Sequence, residues 1–427
     1  MHLLRLRRWA LPLAALAIVA AGAGVSAQSF PLASHFVYPV MTFSSDGRYL
    51  ALGGSVGPAM DLCPLPTCSG RVHIWDLHKG ARTFASDATT ARVMSIAFTP
   101  DSRFVISGHV DGTVRVWSVE ATRVVQQVTC CAGTWARALA VSPDSRLLAT
   151  GGQNGEIALW QLGADLLAPN AVTRLRTFEG HVFLVSSVIF QSSGAYLLSS
   201  VDDQHVRRWN VSTGASLEFS RAAGLQKAHR GMVKTVAPLS DGRRAVSGSY
   251  WEGGTYKDYK SVAPPDAILR LWDLSAGRPL RSYPLTFGVR CCIQVVTGTP
   301  TIAFLKATAW DELPRLTILN VDDGAVAREV APTMGESFHS LAMHPNASTF
   351  LIALGEGDFL IWDRIANAMV GRLVSVDEGW AVVAPDGRME YTDGFPRWRC
   401  AHGITSNCAG GVSTPSTPGL LAPMVRH

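Results

Sequence analysis

Between Val93 and Trp117, apolar and polar positions alternate in three short runs separated by turn residues. Met94-Ser-Ile-Ala-Phe98 alternates, Pro100-Asp-Ser102 turns, Phe104-Val-Ile-Ser107 returns, and Asp111-Gly112 turns again. Val114-Arg-Val-Trp117 closes the unit, with Arg115 outward between inward apolar residues. A period of two bounded by such turns predicts antiparallel strands in meander order. The unit recurs along the chain. Runs ending in Trp or an equivalent apolar residue stand at Trp75, Trp117, Trp160, Trp209, Trp272, Leu319 and Trp362, at intervals of 42, 43, 49, 63, 47 and 43 residues. A turn lies upstream of each, at 45–47, 100–102, 143–145, 192–194, 240–242, 298–300 and 345–347. Two independent landmarks therefore give seven copies, and the period fits a four-stranded propeller blade. The predicted fold is all-β, a seven-bladed β-propeller of four-stranded antiparallel blades, which leaves only short protected sheet edges.

Three of the copies end in Trp-Asp, at Trp75-Asp76, Trp272-Asp273 and Trp362-Asp363, and this pattern resembles the WD40 repeat family over roughly residues 38 to 374. The resemblance implies blades pinned by a hydrogen-bonded His, Ser or Thr, Asp and Trp. Blade four supplies His181 after Gly180, Ser199 or Ser200, Asp203 and Trp209. Other copies depart from the motif. Blade two has Asp111 and Trp117 without the Gly-His, blade five has His229 within Ala-His-Arg, and blade six has Leu319 in place of Trp.

Alternating strand direction puts the turns between second and third strands on the same rim as the links into the next blade. We call this rim the top. The three largest departures from the repeat, 54–70, 250–266 and 306–314, all fall there, and long loops on a rigid scaffold commonly carry function. The blade-five insertion holds Tyr250, Trp251, Tyr256 and Tyr259 among charges and glycines, and Trp310 in the next insertion extends the set. These are the expected partner-binding residues, because Tyr and Trp give large contact area at low entropic cost. The competing reading is that the rings pack down on the rim and order a long loop.

Composition narrows the setting. Apolar residues at 47% and charged residues at 17% suit a packed globule, and no basic stripe suggests nucleic acid. Residues 1–27 read as a secretory signal peptide, with Arg5, Arg7 and Arg8 ahead of an apolar stretch and Val25-Ser26-Ala27 as the cleavage site. Loss of those arginines takes the formal charge from +5 to +2. The expected organisation is a leader at 1–27, a propeller at 28–374 and a hairpin with a loop-rich tail at 375–427. The chain is expected to be exported, periplasmic or extracellular.

In that setting eight cysteines suggest disulfides. Cys63 with Cys68 and Cys400 with Cys408 are the preferred bridges, each ordering a loop without a core of its own. Cys130-Cys131 reads as a vicinal disulfide or as two separate partners, whereas alternation sends Cys291 and Cys292 to opposite faces as free buried thiols. The tail from Glu378 to Cys400 resembles the short module after the propeller in some bacterial WD40 proteins carrying a caspase-like peptidase, and the Ser/Thr/Pro/Gly-rich residues after it are expected to be too few and too loop-like to form such a domain. Phosphate loops, zinc helices and haem motifs are absent from the sequence. Arg137, Arg290 and His339 lie near inner strands, where catalytic groups of propeller enzymes gather. The function expected is a non-catalytic platform without metal or cofactor, holding a protein or envelope component through top loops of blades one, five and six. The alternative is a periplasmic propeller enzyme or a small-ligand or cofactor binder with its site at the central channel mouth.

Overall fold

The computed structural model describes residues 36–56, 69–79, 81–86, 90–229, 231–250, 268–285, 288–307, 314–332, 338–346, 348–354, 358–376, 379–383 and 389–391. Seven antiparallel sheets follow one another in chain order, blade one at 36–91, then 93–129, 136–178, 185–218, 232–284, 289–330 and 338–391. Each blade runs inside to outside, so its first strand lines the central channel and its fourth faces outward. The fourth strands show why. Val326–Val330 is mostly exposed and Arg123–Thr129 has no buried residue, whereas Phe104–His109 in the second row is buried throughout.

The turns explain how a short repeat stays in register. Between first and second strands, Ser44, Thr99 and Ser142 donate to the carboxylates of Asp46, Asp101 and Asp144, each at 2.5 Å. Each carboxylate also accepts the backbone N–H two residues on, from Arg48, Arg103 and Arg146. Between third and fourth strands, the residue after the Trp does the same work. Asp76, Asn210, Asp273 and Asp363 each accept two following N–H groups through Oδ1. The Asp of Trp-Asp is thus a turn-forming acceptor on the lower face.

The described core falls into seven clusters, one between each adjacent pair of blades including seven and one. The repeat Trp, or Leu319, packs into the cluster shared with the preceding blade. Phe84 lies 5.4 Å from Trp117, Phe178 5.3 Å from Trp209 and Phe219 5.4 Å from Trp272, ring centre to ring centre. Aromatic burial therefore joins blades to one another, and a lone blade would leave it exposed.

Closure occurs where blade seven meets blade one. His344 Nε2 donates to the Gly47 carbonyl at 3.0 Å, and the imidazole packs edge-on against Phe43. Gly47 has φ +71°, and a Cβ there would stand 2.6 Å from the His344 ring. Gly47→Ala is expected to cost about 1–2 kcal/mol from the left-handed backbone alone. It should appear as a lower melting temperature, and an unchanged one would show that the turn relaxes freely. The tail hairpin, Gly379–Val383 and Met389–Tyr391, extends the blade-seven sheet to six strands rather than opening an eighth blade. Val382 is buried in the cluster between blades seven and one.

Candidate partner-binding face

Every inner strand carries the same irregularity near its upper end. Register shifts interrupt the pairing of first with second strands between Val37 and Val40, Val93 and Ser95, Ala136 and Ala138, Val185 and Ser187, Val233 and Thr235, Val289 and Cys291, and Phe338 and Ser340. A bulge re-aims the extra residue out of the alternating pattern. In blades two to seven that residue is Met94, Arg137, Ser186, Lys234, Arg290 and His339, so the bulges set a ring around the upper channel mouth.

Contacts run round this ring from blade to blade. Arg137 Nη1 donates to the Met94 carbonyl at 3.3 Å. Asp202, in the upper turn of blade four, accepts from Ser186 Oγ at 2.8 Å and lies 3.4 Å from Lys234 Nζ of blade five. Burial pulls the Arg137 guanidinium below its ordinary value, and the Asp202 carboxylate opposes that shift. Burial, with Arg290 nearby, takes His339 down to about 4, so its imidazole is neutral at pH 7. The opposite end of the channel is different. It is a cavity of about 540 Å³ lined by inner-strand residues such as Ile96, Ala140, Val188, Ala342 and Met343. Charge gathers at the top and apolar surface at the bottom.

On the top face, beside the upper turn of blade three, the link from blade three into blade four exposes two consecutive apolar side chains, Val182 at 68% and Phe183 at 59%. A hydrogen-bonded chain directly beneath holds them there. Trp209 Nε1 donates to Ser199 Oγ at 2.8 Å, Ser199 meets His181 Nε2 at 2.8 Å, and His181 Nδ1 meets Asp203 Oδ2 at 2.8 Å. Indole can only donate, so the Ser199 proton goes to His181 Nε2, and Nδ1 carries the hydrogen that Asp203 accepts. Burial lowers His181 and keeps it neutral despite Asp203. Burial would raise Asp203, but the hydrogen bonds from His181 and the His205 N–H, with the charge of the two imidazoles, together outweigh it and hold the carboxyl low. The four residues that the sequence picks out in blade four thus meet, with Ser199 as the hydroxyl. Ser200 Oγ is buried without a hydrogen-bond partner. From the other side, a Cβ on Gly155 would stand 2.5 Å from the His181 carbonyl, so the upper turn of blade three supports the link closely.

The same chain exists elsewhere in altered form. In blade two Trp117 donates to Ser107 at 2.7 Å, Ser107 meets His109 Nε2 at 2.8 Å, and His109 Nδ1 meets the Ala91 carbonyl at 2.7 Å. Here the imidazole comes from the second strand, where a search for Gly-His in the link could not find it. Blade five links Trp272, Ser247 and His229. Blade three keeps only Trp160 to Thr150 at 3.0 Å.

The expected binding residues fare differently. Tyr250 ends the second strand of blade five, bridges to Gly288 and is buried at 8% exposure. Trp251, Tyr256, Tyr259 and Trp310 lie outside the described residues, as do Cys63, Cys68, Cys400 and Cys408. Cys130 and Cys131 lie within disulfide distance of each other. So do Cys291 and Cys292, which corrects the reading as free thiols on opposite faces. The bulge is the reason. Register shifts again between Cys291 and Gln294, and Cys292 takes φ +61°, which breaks the alternation that would have parted the sulfurs.

Comparison with known proteins agrees with this geometry. The family model described as "WD domain, G-beta repeat" matches residues 81–118, 125–161 and 172–210. Each match begins in or near the fourth strand of one blade and ends with the third strand of the next, so the sequence repeat is staggered against the blade. The chain is 27% identical to Nuclear distribution protein PAC1 of Arthroderma otae over 186 residues, 39% of each chain. It is 33% identical to Nuclear distribution protein nudF of Emericella nidulans over 96 residues, 22% of this chain and 20% of that protein. The chain thus spans two fifths or less of the length of these relatives. Among solved structures, a chain of the crystal structure of a mitotic checkpoint complex aligns with TM-score 0.59 and 16% identity, covering 82% of this chain and 99% of that one. The chain thus carries three matched WD40 repeats within a closed ring of seven antiparallel β-propeller blades.

Proposed function

We propose that this propeller is an exported, non-catalytic interaction platform whose protein partner docks on the top face. The observation that carries the reading is the Val182-Phe183 pair, two exposed apolar side chains fixed by the hydrogen-bonded chain directly beneath them. Large apolar groups held in one place above a rigid scaffold bind without a heavy ordering cost. Leu225, 40% exposed in the link from blade four to blade five, adds apolar surface on the same face. The relatives support the reading coarsely, since the matching solved chain is part of a multiprotein complex. Export rests on the leader at 1–27.

A photocrosslinking residue placed at Phe183 tests this in intact cells, with Ile365 on the lower face as control. Ile365 is 76% exposed, so it offers equal access and similar hydrophobicity. A discrete protein adduct is expected from position 183 and none from 365. Adducts from 365 alone would move the binding face to the bottom, and none from either would end the platform reading.

A further inference from the structure

The two cysteine doublets sit in different surroundings. Cys130 and Cys131 are 3% and 1% exposed in the link between blades two and three, and a Cβ on Gly152 of the neighbouring strand would stand 3.0 Å from Cys131 Sγ. Close packing seals that pair. Cys291 and Cys292 are only half-buried, on the first strand of blade six, which lines the channel. Their side chains meet blade seven, where Cys291 Sγ lies 3.4 Å from the His339 carbonyl oxygen and Cys292 Sγ 3.9 Å from Ser340 Oγ. A disulfide sulfur carries no hydrogen whereas a thiol donates, so each sulfur has an oxygen in reach for its reduced form. The backbone points the same way. Adjacent residues of a regular strand send their side chains to opposite faces, but Cys292 takes φ +61°, and pairing with the second strand is irregular from Val289 to Gln294. Opening the bond frees Cys292 to return to the extended region. Disulfides that are accessible and held on disfavoured backbone are the ones that exchange readily.

We propose that Cys291–Cys292 is a thiol–disulfide exchange site on the channel wall, whose substrate is a dithiol. A thiolate of the dithiol attacks one of the two sulfurs, the Cys291–Cys292 bond breaks, and a mixed disulfide forms. The second thiol of the substrate then attacks its own sulfur in that mixed bond. The substrate leaves as a disulfide, and the two electrons and two protons it gave up remain with the Cys291 and Cys292 thiols. A disulfide compound runs the sequence backwards, and two cysteines adjacent in the chain reclose without refolding. Cys130–Cys131, sealed by its packing, takes no part. The exchange does not depend on what docks on the top face.

The test uses the full oxidised chain, folded, with dithiothreitol as the dithiol. After timed exposure, iodoacetamide caps free thiols and trypsin separates the doublets. Cleavage after Arg123 and Arg137 isolates Cys130-Cys131, and cleavage after Arg290 and Lys306 isolates Cys291-Cys292. Mass spectrometry is expected to find the second peptide doubly capped about tenfold or more faster than the first. Without dithiothreitol it should carry no cap, and oxidised glutathione added to the reduced protein before capping should close the pair again. Caps in the absence of reductant would mean that the two sulfurs are thiols, and would overturn the proposal. So would reduction no faster than that of Cys130–Cys131, or a reduced pair that does not reclose. Cys292→Gly tests access separately, because glycine suits the left-handed backbone and keeps the strand as it is. Cys291 should then be capped in the folded variant without any reductant. A Cys291 that stays uncapped there would show that the site is closed to thiols and end the proposal.

Discussion

Acidification from pH 6.5 towards 4 is expected to destabilise the propeller steeply, before the depressed carboxyls such as Asp76 and Asp203 titrate. Burial, with Arg82 and Arg71 nearby, pushes His73 down to about 3. Burial, with Arg115 nearby, takes His109 to about 4, and burial lowers His181 and His229 in the same direction. A histidine whose folded pKa is depressed binds fewer protons folded than unfolded, so stability rises with pH across the window between the two values. The contribution is complete above about 6.5 and is lost as pH falls towards the folded pKa. His73 and His109 then each withdraw roughly 2–3 kcal/mol by pH 4.5, at about 1.4 kcal/mol per unit. Two such groups together remove an amount comparable with the 5–15 kcal/mol that holds an ordinary domain together. The hydrogen-bonded chains explain the requirement for neutrality. His109 Nδ1 donates to the Ala91 carbonyl, so Nε2 of the neutral ring accepts from Ser107, and a proton on Nε2 destroys that acceptor. Depressed carboxyls such as Asp76 and Asp203 add a second loss only below about 3.8. Melting temperatures at pH 7.5, 6.5, 5.5 and 4.5 measure the slope. His109→Gln, which keeps a donor and an acceptor without titrating, should flatten it by about 1.4 kcal/mol per unit. A flat profile above pH 5, or equal slopes for the two proteins, would refute the account.

The fold was legible because its information is local. Strand alternation, turn residues and the recurring Trp are each written within a few residues, and they mark even blade six, where Leu319 replaces the aromatic. That replacement is self-consistent. Phe304 occupies the place that Ser199 holds in blade four, so neither member of the polar pair remains. The bulges were not legible. A single extra residue changes neither composition nor the apparent period, yet it turns Arg137, Lys234 and Arg290 into one ring and draws the sulfurs of Cys291 and Cys292 together. The Val182-Phe183 pair did leave a signal. Two adjacent apolar residues between Gly-His and the start of a strand cannot both point inward under period-two alternation. Aromatic content drew the reading to the blade-five insertion instead, where Tyr250 belongs to the sheet.

Removing the hydroxyl at the centre of a blade network should cost more than any other single-atom change in the described core, and the blades should rank by how many partners it serves. Ser199→Ala strands two buried groups, the Trp209 indole N–H and the His181 imidazole nitrogen, at about 1–3 kcal/mol each. The expected loss is about 2–5 kcal/mol, and Ser107→Ala should match it because that hydroxyl also serves a Trp and a His. Thr150→Ala strands only the Trp160 N–H and should cost about half as much, apart from its lost methyl. Ser199→Thr should recover most of the loss, since blade three already accommodates threonine at the equivalent place. Chemical denaturation of the four variants decides it, and equal effects of Ser199→Ala and Thr150→Ala would show that the imidazole contributes nothing. The chain also ties stability to function. His181 immediately precedes Val182, so Ser199→Ala should loosen the link and weaken crosslinking from position 183, even at temperatures where the propeller remains folded. Ser107→Ala, equally costly but serving a different blade, should leave that crosslink intact. A drop in crosslinking in both variants would mean that global stability, not the anchored link, governs presentation of the apolar pair.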